Sequence, residues 1–218
     1  MCKKHCAKKS FFNFLFLRIK KLYLCSKLKQ YSLSVCCYCV TYLFYIITME
    51  NYNFSWSQIG DVDEGRPNLG NKTPVSVYRL MQFTMRAVLE KEYGDEQTRK
   101  LLADAGRLAG TEFCRNILDV SQPLNKFIAQ LHDALIDLEI GILKVEKSDV
   151  ENLSFMVTVS EDLDCSGLPI RGVTVCDYDE GFIEGIFTVY TGKKFDVKEI
   201  DCWTTGERTC RFSINLRK

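Results

Sequence analysis

The apolar residues of this chain change their spacing at Gly141, and that change limits the folds it can adopt. Before Gly141 they recur every three to four residues, which predicts amphipathic helices; after it they alternate, which predicts strands. Helices that precede a run of strands indicate an α+β domain. We therefore expect N-terminal helices followed by an antiparallel β-meander with one inserted short helix and a closing hairpin.

Three helices are predicted before Gly141. The first carries five apolar residues on one face: Val77, Leu80, Met81, Val88 and Leu89. The second carries an apolar stripe that includes Cys114, and beside it Gly106 and Gly110 leave room for another helix to pack closely. The third, over residues 124–138, has the most regular stripe. His132 lies beside that stripe, so we expect it at the surface or in a hydrogen bond.

After Gly141 the pattern predicts strands over residues 142–146 and 153–159. A short helix is expected over residues 180–190. Residues 195–204 and 208–216 then form the closing hairpin. The predicted domain organisation is a separate N-terminal segment (1–48), a lead-in (49–75) expected to be extended because Gly and Pro interrupt it, and a folded domain (76–218).

The N-terminal segment differs from the rest of the chain in charge. It has nine basic residues and no acidic one, and residues 31–48 are uncharged over 18 positions, just long enough to span a bilayer. One interpretation is an N-terminal membrane anchor. The other is translated non-coding sequence ahead of a true start at Met49, because its commonest residue types have AT-rich codons.

Charge and cysteine content restrict the function of residues 49–218. Their 20 basic and 28 acidic residues give a formal charge of −8, which argues against nucleic acid as a partner. They contain five of the 11 cysteines. An odd number does not fit a secreted disulfide framework and favours a reducing compartment with thiolates free to bind metal. We therefore expect a cytoplasmic protein, anchored to a membrane if residues 31–48 form a span.

Four residues near the C-terminus could meet as metal ligands. Cys202 and Cys210 flank the turn of the final hairpin, Glu199 is close to the same end, and Cys176 precedes the short helix. Three thiolates and one carboxylate complete a tetrahedral shell of the kind that holds structural zinc. Two alternatives remain: Cys165 replaces Glu199 in a four-thiolate site, or the cysteines are buried free thiols.

The sequence around these cysteines resembles the 4-vinyl reductase-like domain, a family also described as hydrocarbon-binding. The resemblance is carried by the runs 165–169, 172–182 and 199–212 and extends over about residues 60–216. The family includes the sensory domains of phenol- and xylene-responsive bacterial activators and a protein implicated in reducing a vinyl group of chlorophyll precursors. Its fold is shared with vesicle-tethering subunits of the Golgi.

The resemblance implies a zinc site and an apolar ligand. In the phenol sensors zinc is held by three Cys and one Glu, in an order and spacing that agree with Cys176, Glu199, Cys202 and Cys210. The histidine that holds the phenol hydroxyl there has no match here, so phenol is not carried over. Candidates for the pocket wall, which could equally be core residues, are Phe83, Phe127, Phe155, Phe187 and Trp203.

Three functions are compatible with these features. The leading one is a sensory module that binds a hydrophobic or aromatic molecule, contains structural zinc, and signals through a homodimer or a regulatory protein. The second is an enzyme or accessory of vinyl-group reduction. It is disfavoured because the sequence has no Gly-rich nucleotide loop and no open metal site, and because Asp177, Asp179 and Glu180 are interpreted as solvated charges. The third is a dimeric scaffold or tethering protein.

Overall fold

Residues 54–218 are the part of the chain that the structure, a computed structural model, describes. The N-terminal segment, with its two interpretations, lies outside the described residues. Among residues 54–218 no helix combines the length and the apolar character that crossing a bilayer requires.

Helices and strands occur in the predicted order. The helices are α1 (Val62–Gly65), α2 (Val75–Tyr93), α3 (Asp95–Ile117), α4 (Leu124–Asp137) and α5 (Asp177–Thr191). The strands are β1 (Ile142–Asp149), β2 (Ser154–Ser160), β3 (Phe195–Asp201) and β4 (Cys210–Leu216). The predicted α+β class, with helices first and one helix inserted into an antiparallel sheet, is confirmed.

The lead-in, expected to be extended, contains two single helical turns within its described part. One is a 3-10 turn, Trp56–Ile59, and the other is α1. Local capping explains both. The Gln58 side chain accepts the N–H of Ser55, and Asp61 accepts the N–H of Glu64, so each turn has a partner for a backbone donor that would otherwise be free.

The sheet is antiparallel throughout, in the order β1-β2-β4-β3. β1 and β2 form one hairpin and β3 and β4 another, and the hairpins join through β2 and β4. This differs from the consecutive order of a simple meander, because α5 carries the chain beyond the neighbour of β2 and β4 then returns to fill that position. The pairing sets Cys210 opposite Val159 and Phe212 opposite both Val157 and Glu199.

One face of the sheet forms the core. Alternating residues of β2, β3 and β4 point toward it and are almost fully buried: Phe155, Val157, Val159, Phe195, Val197, Phe212 and Ile214. The core cluster that they form also contains buried residues of α4 and α5, including Phe127, Leu131, Ile186 and Phe187. On strands β1 and β4, Glu146 and Arg211 form an ion pair at the sheet surface.

Four glycines bring α3 and α5 into backbone contact: Gly106 and Gly110 of α3, and Gly181 and Gly185 of α5. A Cβ atom at Gly110 would lie 2.0 Å from the carbonyl oxygen of Phe182, and one at Gly181 would lie 1.8 Å from that of Ala103. Close packing of another helix at Gly106 and Gly110 was predicted from the sequence. The matching glycines of α5 were not.

The apolar face of α2 points outward. Its five exposed members, called the outer stripe from here on, are 51–69% accessible: Val77, Leu80, Met81, Met85 and Val88. The inner face is polar: Tyr78 and Gln82 donate hydrogen bonds to Asp164, at 2.7 and 2.6 Å. Since α2 is attached through polar contacts, its apolar residues are left without a partner within the described residues.

A buried ion pair also attaches α2. Arg86 donates to the Asp177 carboxylate at 2.5 Å and to the Val175 carbonyl oxygen at 2.9 Å. Asp177 and Glu180 are 3% and 8% exposed, so interpreting them as solvated charges is wrong. The reason is that α5 begins inside the domain, where Asp177 meets Arg86, and Glu180 accepts the backbone N–H of residue 199.

We expect Arg86→Met to lower the free energy of unfolding by about 2 kcal/mol. Removing one partner of an isolated buried pair costs about 3–5 kcal/mol, but here Arg99 remains beside Asp177 at 3.3 Å. Urea denaturation measures the effect. Arg66→Met is the matched control, because Arg66 is exposed and forms no ion pair among the described residues. Equal unfolding midpoints for the two variants would contradict the prediction.

Candidate metal centre and apolar cavity

Four thiols converge where the loop after β2, the start of α5 and the β3–β4 connection meet. Cys165, Cys176, Cys202 and Cys210 are each at most 1% exposed, and their sulfur atoms lie within 4.8 Å of one another. The Sγ atom of Cys210 is 3.0 Å from that of Cys165 and 3.8 Å from that of Cys176. All four are free thiols, and together they could hold a metal ion.

Local hydrogen bonds hold the loops that carry these thiols. The Asp162 Oδ1 atom accepts the backbone N–H groups of Asp164 and Cys165, at 2.8 and 3.0 Å, and so fixes the turn that presents Cys165. Thr204 anchors the connection after β3 by donating to the Val173 carbonyl oxygen at 2.6 Å. Its hydroxyl oxygen is also 3.1 Å from the Cys202 sulfur.

Glu199 lies beside this group rather than within it. Its Oε2 atom accepts the backbone N–H of Cys176 at 3.1 Å. Its Oε1 atom is buried and has no hydrogen-bond partner in residues 54–218. Burial and the adjacent Cys202 raise the pKa of the Glu199 carboxyl to about 8. The structure thus brings Cys176, Cys202 and Cys210 together as the sequence predicts, and it adds Cys165.

The chemistry of the four thiols fits a tightly held metal ion. Hydrogen bonds from the neighbouring thiols, that of Cys165 first, hold the pKa of Cys202 below its ordinary range, so a thiolate forms there readily. Four sulfur ligands in a small buried space are typical of zinc or iron–sulfur sites. Four protein ligands also fill a tetrahedral shell, which leaves no position for an activated water.

Two other residues singled out in the sequence have structural roles. Cys114 is fully buried in the core, and burial raises the pKa of its thiol to about 11. His132 has its Nδ1 atom 2.8 Å from the Leu143 carbonyl oxygen, so it is hydrogen-bonded, as expected. Neither residue contributes to the four-thiol group.

A small cavity of ≈ 30 Å³ lies between α4, α5 and the β1–β2 hairpin. Its wall is almost entirely apolar, with side chains such as Leu131, Leu143, Val157 and Ile183. The exceptions are two carboxyl groups, those of Asp162 and Asp179. Sequence reasoning missed both. The available signal was the position of Asp179, one helical turn before Phe182 and Ile183, which places a carboxylate on the apolar face of α5.

Of the five aromatic residues predicted for a pocket wall, Phe187 lines this cavity. Phe155 packs on Phe187 with ring centroids 5.3 Å apart, and the fully buried Phe127 stacks on a tyrosine ring at 3.9 Å. Phe83 is half-buried on α2. Trp203 lies beneath the guanidinium group of an arginine, 4.7 Å from the ring centroid.

Comparison with known proteins confirms the resemblance seen in the sequence. Residues 155–216 match the vinyl-4-reductase (V-4-R) domain. Two uncharacterized proteins of Methanocaldococcus jannaschii are similar in sequence. One is 26% identical over 148 residues, which cover 68% of this chain and 79% of the relative. The other is 24% identical over 149 residues, which cover 68% and 81%.

Solved structures share the fold. A vinyl-4-reductase family protein of Methanocaldococcus jannaschii has a TM-score of 0.50 at 14% identity, covering 68% of this chain and 85% of its own. The phenol-responsive sensory domain of the transcription activator PoxR, solved with phenol, gives 0.50 at 14%, covering 66% and 75%. A trafficking protein particle complex subunit 3 of Naegleria fowleri, covalently bound to palmitic acid, gives 0.55 at 10%, covering 66% and 95%.

Proposed function

We propose that this chain, whose residues 155–216 match the vinyl-4-reductase domain, is a sensory module that binds an apolar small molecule between its helices and its sheet. The apolar cavity between α4, α5 and the β1–β2 hairpin is the observation that carries the proposal. The structural neighbour PoxR, solved with phenol, supports it by analogy of fold. The five reduced cysteines of the described residues favour a cytoplasmic location.

We further propose that a structural zinc ion is held beside the cavity. Its ligands would include Cys176, Cys202 and Cys210. The distances favour Cys165 over Glu199 as the fourth, because the Cys165 sulfur lies within the thiol group and the Glu199 carboxylate accepts a backbone N–H instead. Bound there, zinc would staple the β3–β4 hairpin to the start of α5 and would supply no catalytic chemistry.

Ligand binding would act through a shift between conformations. The cavity of ≈ 30 Å³ is small beside the roughly 150 Å³ that holds a single benzene ring. A ring-sized molecule therefore binds only if lining side chains, and the helices that carry them, move apart. A ligand that binds this opened arrangement more tightly increases its population, and that change is the signal.

The outer stripe on α2 is the proposed surface for a second copy of the chain. Monomers seldom expose a contiguous apolar face of this kind, and a helix face pairs readily with its own copy about a two-fold axis. The inner face of α2 contacts Asp164, two residues after the cavity-lining Asp162. A change at the cavity could therefore reach the stripe. The same stripe would serve a dimeric scaffold protein or a regulatory partner.

We expect the wild-type protein to be a dimer and Leu80→Asp/Met81→Asp to be a monomer, because the two substitutions place charges in the centre of the outer stripe. Sedimentation equilibrium measures the oligomeric state. The matched control is Ile136→Asp, which alters an apolar residue of α4 that is 43% exposed and lies outside the stripe. A monomeric wild-type protein, or a dimer that survives both charges, would remove this surface from the proposal.

Native mass spectrometry of the full chain tests the ligand-binding proposal. We expect one zinc ion per chain and one apolar molecule that is lost on gentle activation. Added ligand should also raise the melting temperature, since a ligand at 100 times its Kd stabilises a protein by about 2.7 kcal/mol. Folded protein that carries no small molecule and takes up none from a panel of aromatic and aliphatic compounds would refute the sensory function.

A further inference from the structure

The cavity has one polar end, and Asp179 provides half of it. The residue lies on the same face of α5 as Phe182 and Ile183, and all three line the cavity. Its Oδ2 atom is buried and accepts no hydrogen bond from residues 54–218. Buried acceptors are almost always paired, so this one points to a donor that the described chain does not supply.

Asp162 provides the other half. It is 5% exposed and also lines the cavity. Its Oδ1 atom is held by the backbone N–H groups of Asp164 and Cys165, which fix the carboxyl group in place. Carboxylate oxygens of Asp162 and Asp179 come within 4.8 Å of each other. A single donor group placed between them could therefore contact both.

The charges around this end are negative. The strongest electrostatic neighbours of Asp179 are Asp164, Asp162 and Glu199, all of them carboxyl groups. The nearby cations of α2 have other partners: Arg79 donates to the Leu163 carbonyl oxygen, and Arg86 pairs with an aspartate at the start of α5. No ion pair within the described part of the chain involves Asp162 or Asp179, so their charge is uncompensated there.

We infer that Asp162 and Asp179 bind the protonated head group of an apolar primary amine whose tail lies between α4 and α5. This inference rests on the proposed ligand-binding function and specifies its ligand class. An ammonium group offers three donors and a positive charge, which suit two adjacent carboxyl groups, whereas an alcohol offers one donor and no charge. The space of ≈ 30 Å³ takes a group the size of a water molecule as it stands.

A second metal ion is the main competing occupant, because the Cys176 sulfur lies within 4.8 Å of both carboxylates. The arrangement favours the amine for two reasons. Cys176 already belongs to the four-thiol group. The rest of the cavity wall is apolar and offers no further oxygen ligands, which hard cations require.

Isothermal titration calorimetry of the full-length protein at pH 7, with hexylamine, hexanol and hexanoate as probes, tests this assignment. We expect hexylamine to bind at least about tenfold more tightly than hexanol, and hexanoate not to bind. Asp179→Asn should weaken hexylamine binding by about tenfold or more and leave hexanol binding within about twofold. Asp162→Asn, which keeps the Oδ1 acceptor of the turn, should act in the same direction. Asp137→Asn, at an exposed site on α4, is the control.

Each other outcome overturns the inference, and the outcomes differ in what they say of the proposed function. Equal binding of hexylamine and hexanol, unaffected by Asp179→Asn in a protein with unchanged melting temperature and metal content, refutes the amine site and leaves an apolar ligand site intact. Failure of all three probes and of the wider compound panel refutes both. A second metal ion per chain that is lost in Asp179→Asn reassigns the two carboxylates as metal ligands.

Discussion

Cys210→Ser should abolish metal binding and lower the free energy of unfolding by several kcal/mol. Cys210 begins β4, and its sulfur is within 3.8 Å of those of both Cys165 and Cys176. Its loss breaks the link between the hairpin and the two loops, and the binding energy of a structural metal is itself folding energy. Elemental analysis and denaturant unfolding are the measurements. Cys114→Ala, which alters a buried thiol outside the group, should retain the metal and cost about 1 kcal/mol.

The same assay decides between the two ligand sets. If four thiolates hold the metal, Cys165→Ser behaves like Cys210→Ser and Glu199→Gln keeps the metal. If Glu199 is a ligand, the two results are exchanged. A protein with the same metal content and unfolding midpoint in all these variants would show that the cysteines are only buried thiols.

Gly110→Ala should destabilise the domain by about 3 kcal/mol. The new Cβ atom would lie 2.0 Å from the Phe182 carbonyl oxygen, a backbone atom that cannot move aside without separating α3 from α5. Overpacking of this kind typically costs about 1–3 kcal/mol, and the upper end applies because backbone meets backbone. Gly65→Ala is the matched control. Gly65 is also helical and has open space around its Cβ position, so the change should be neutral or slightly stabilising. Similar unfolding midpoints for the two variants would refute the close contact.

The elements of this fold were predictable because their signals are local. The spacing of apolar residues sets the helices and strands, and Gly94 ends one helix where the next begins. The orientation of α2 was not predictable, since its apolar stripe looks like a core face. It points outward because Tyr78, Gln82 and Arg86 find polar partners far along the chain, and sequence spacing does not reveal such partners.

The candidate site was predictable in part for the same reason. Cys202 and Cys210 flank a hairpin, so their proximity follows from local structure. Cys165 joins them through the pairing of β2 with β4, which depends on the order of strands in the sheet. Asp162 and Asp179 approach each other only when the turn after β2 meets α5. A pair of isolated aspartates carries no sequence pattern that would indicate this.

The glycine contact between α3 and α5 also affects how the chain can fold during synthesis. The two helices touch at positions as far apart as Arg99 and Asp177, 78 residues along the chain. At ribosomal speeds, α3 emerges roughly 4–16 s before its partner. During that interval its glycine face, a weak helix former, has nothing to pack against. Contacts of such long range also slow folding. Nascent α3 is therefore a segment on which we expect chaperones to act.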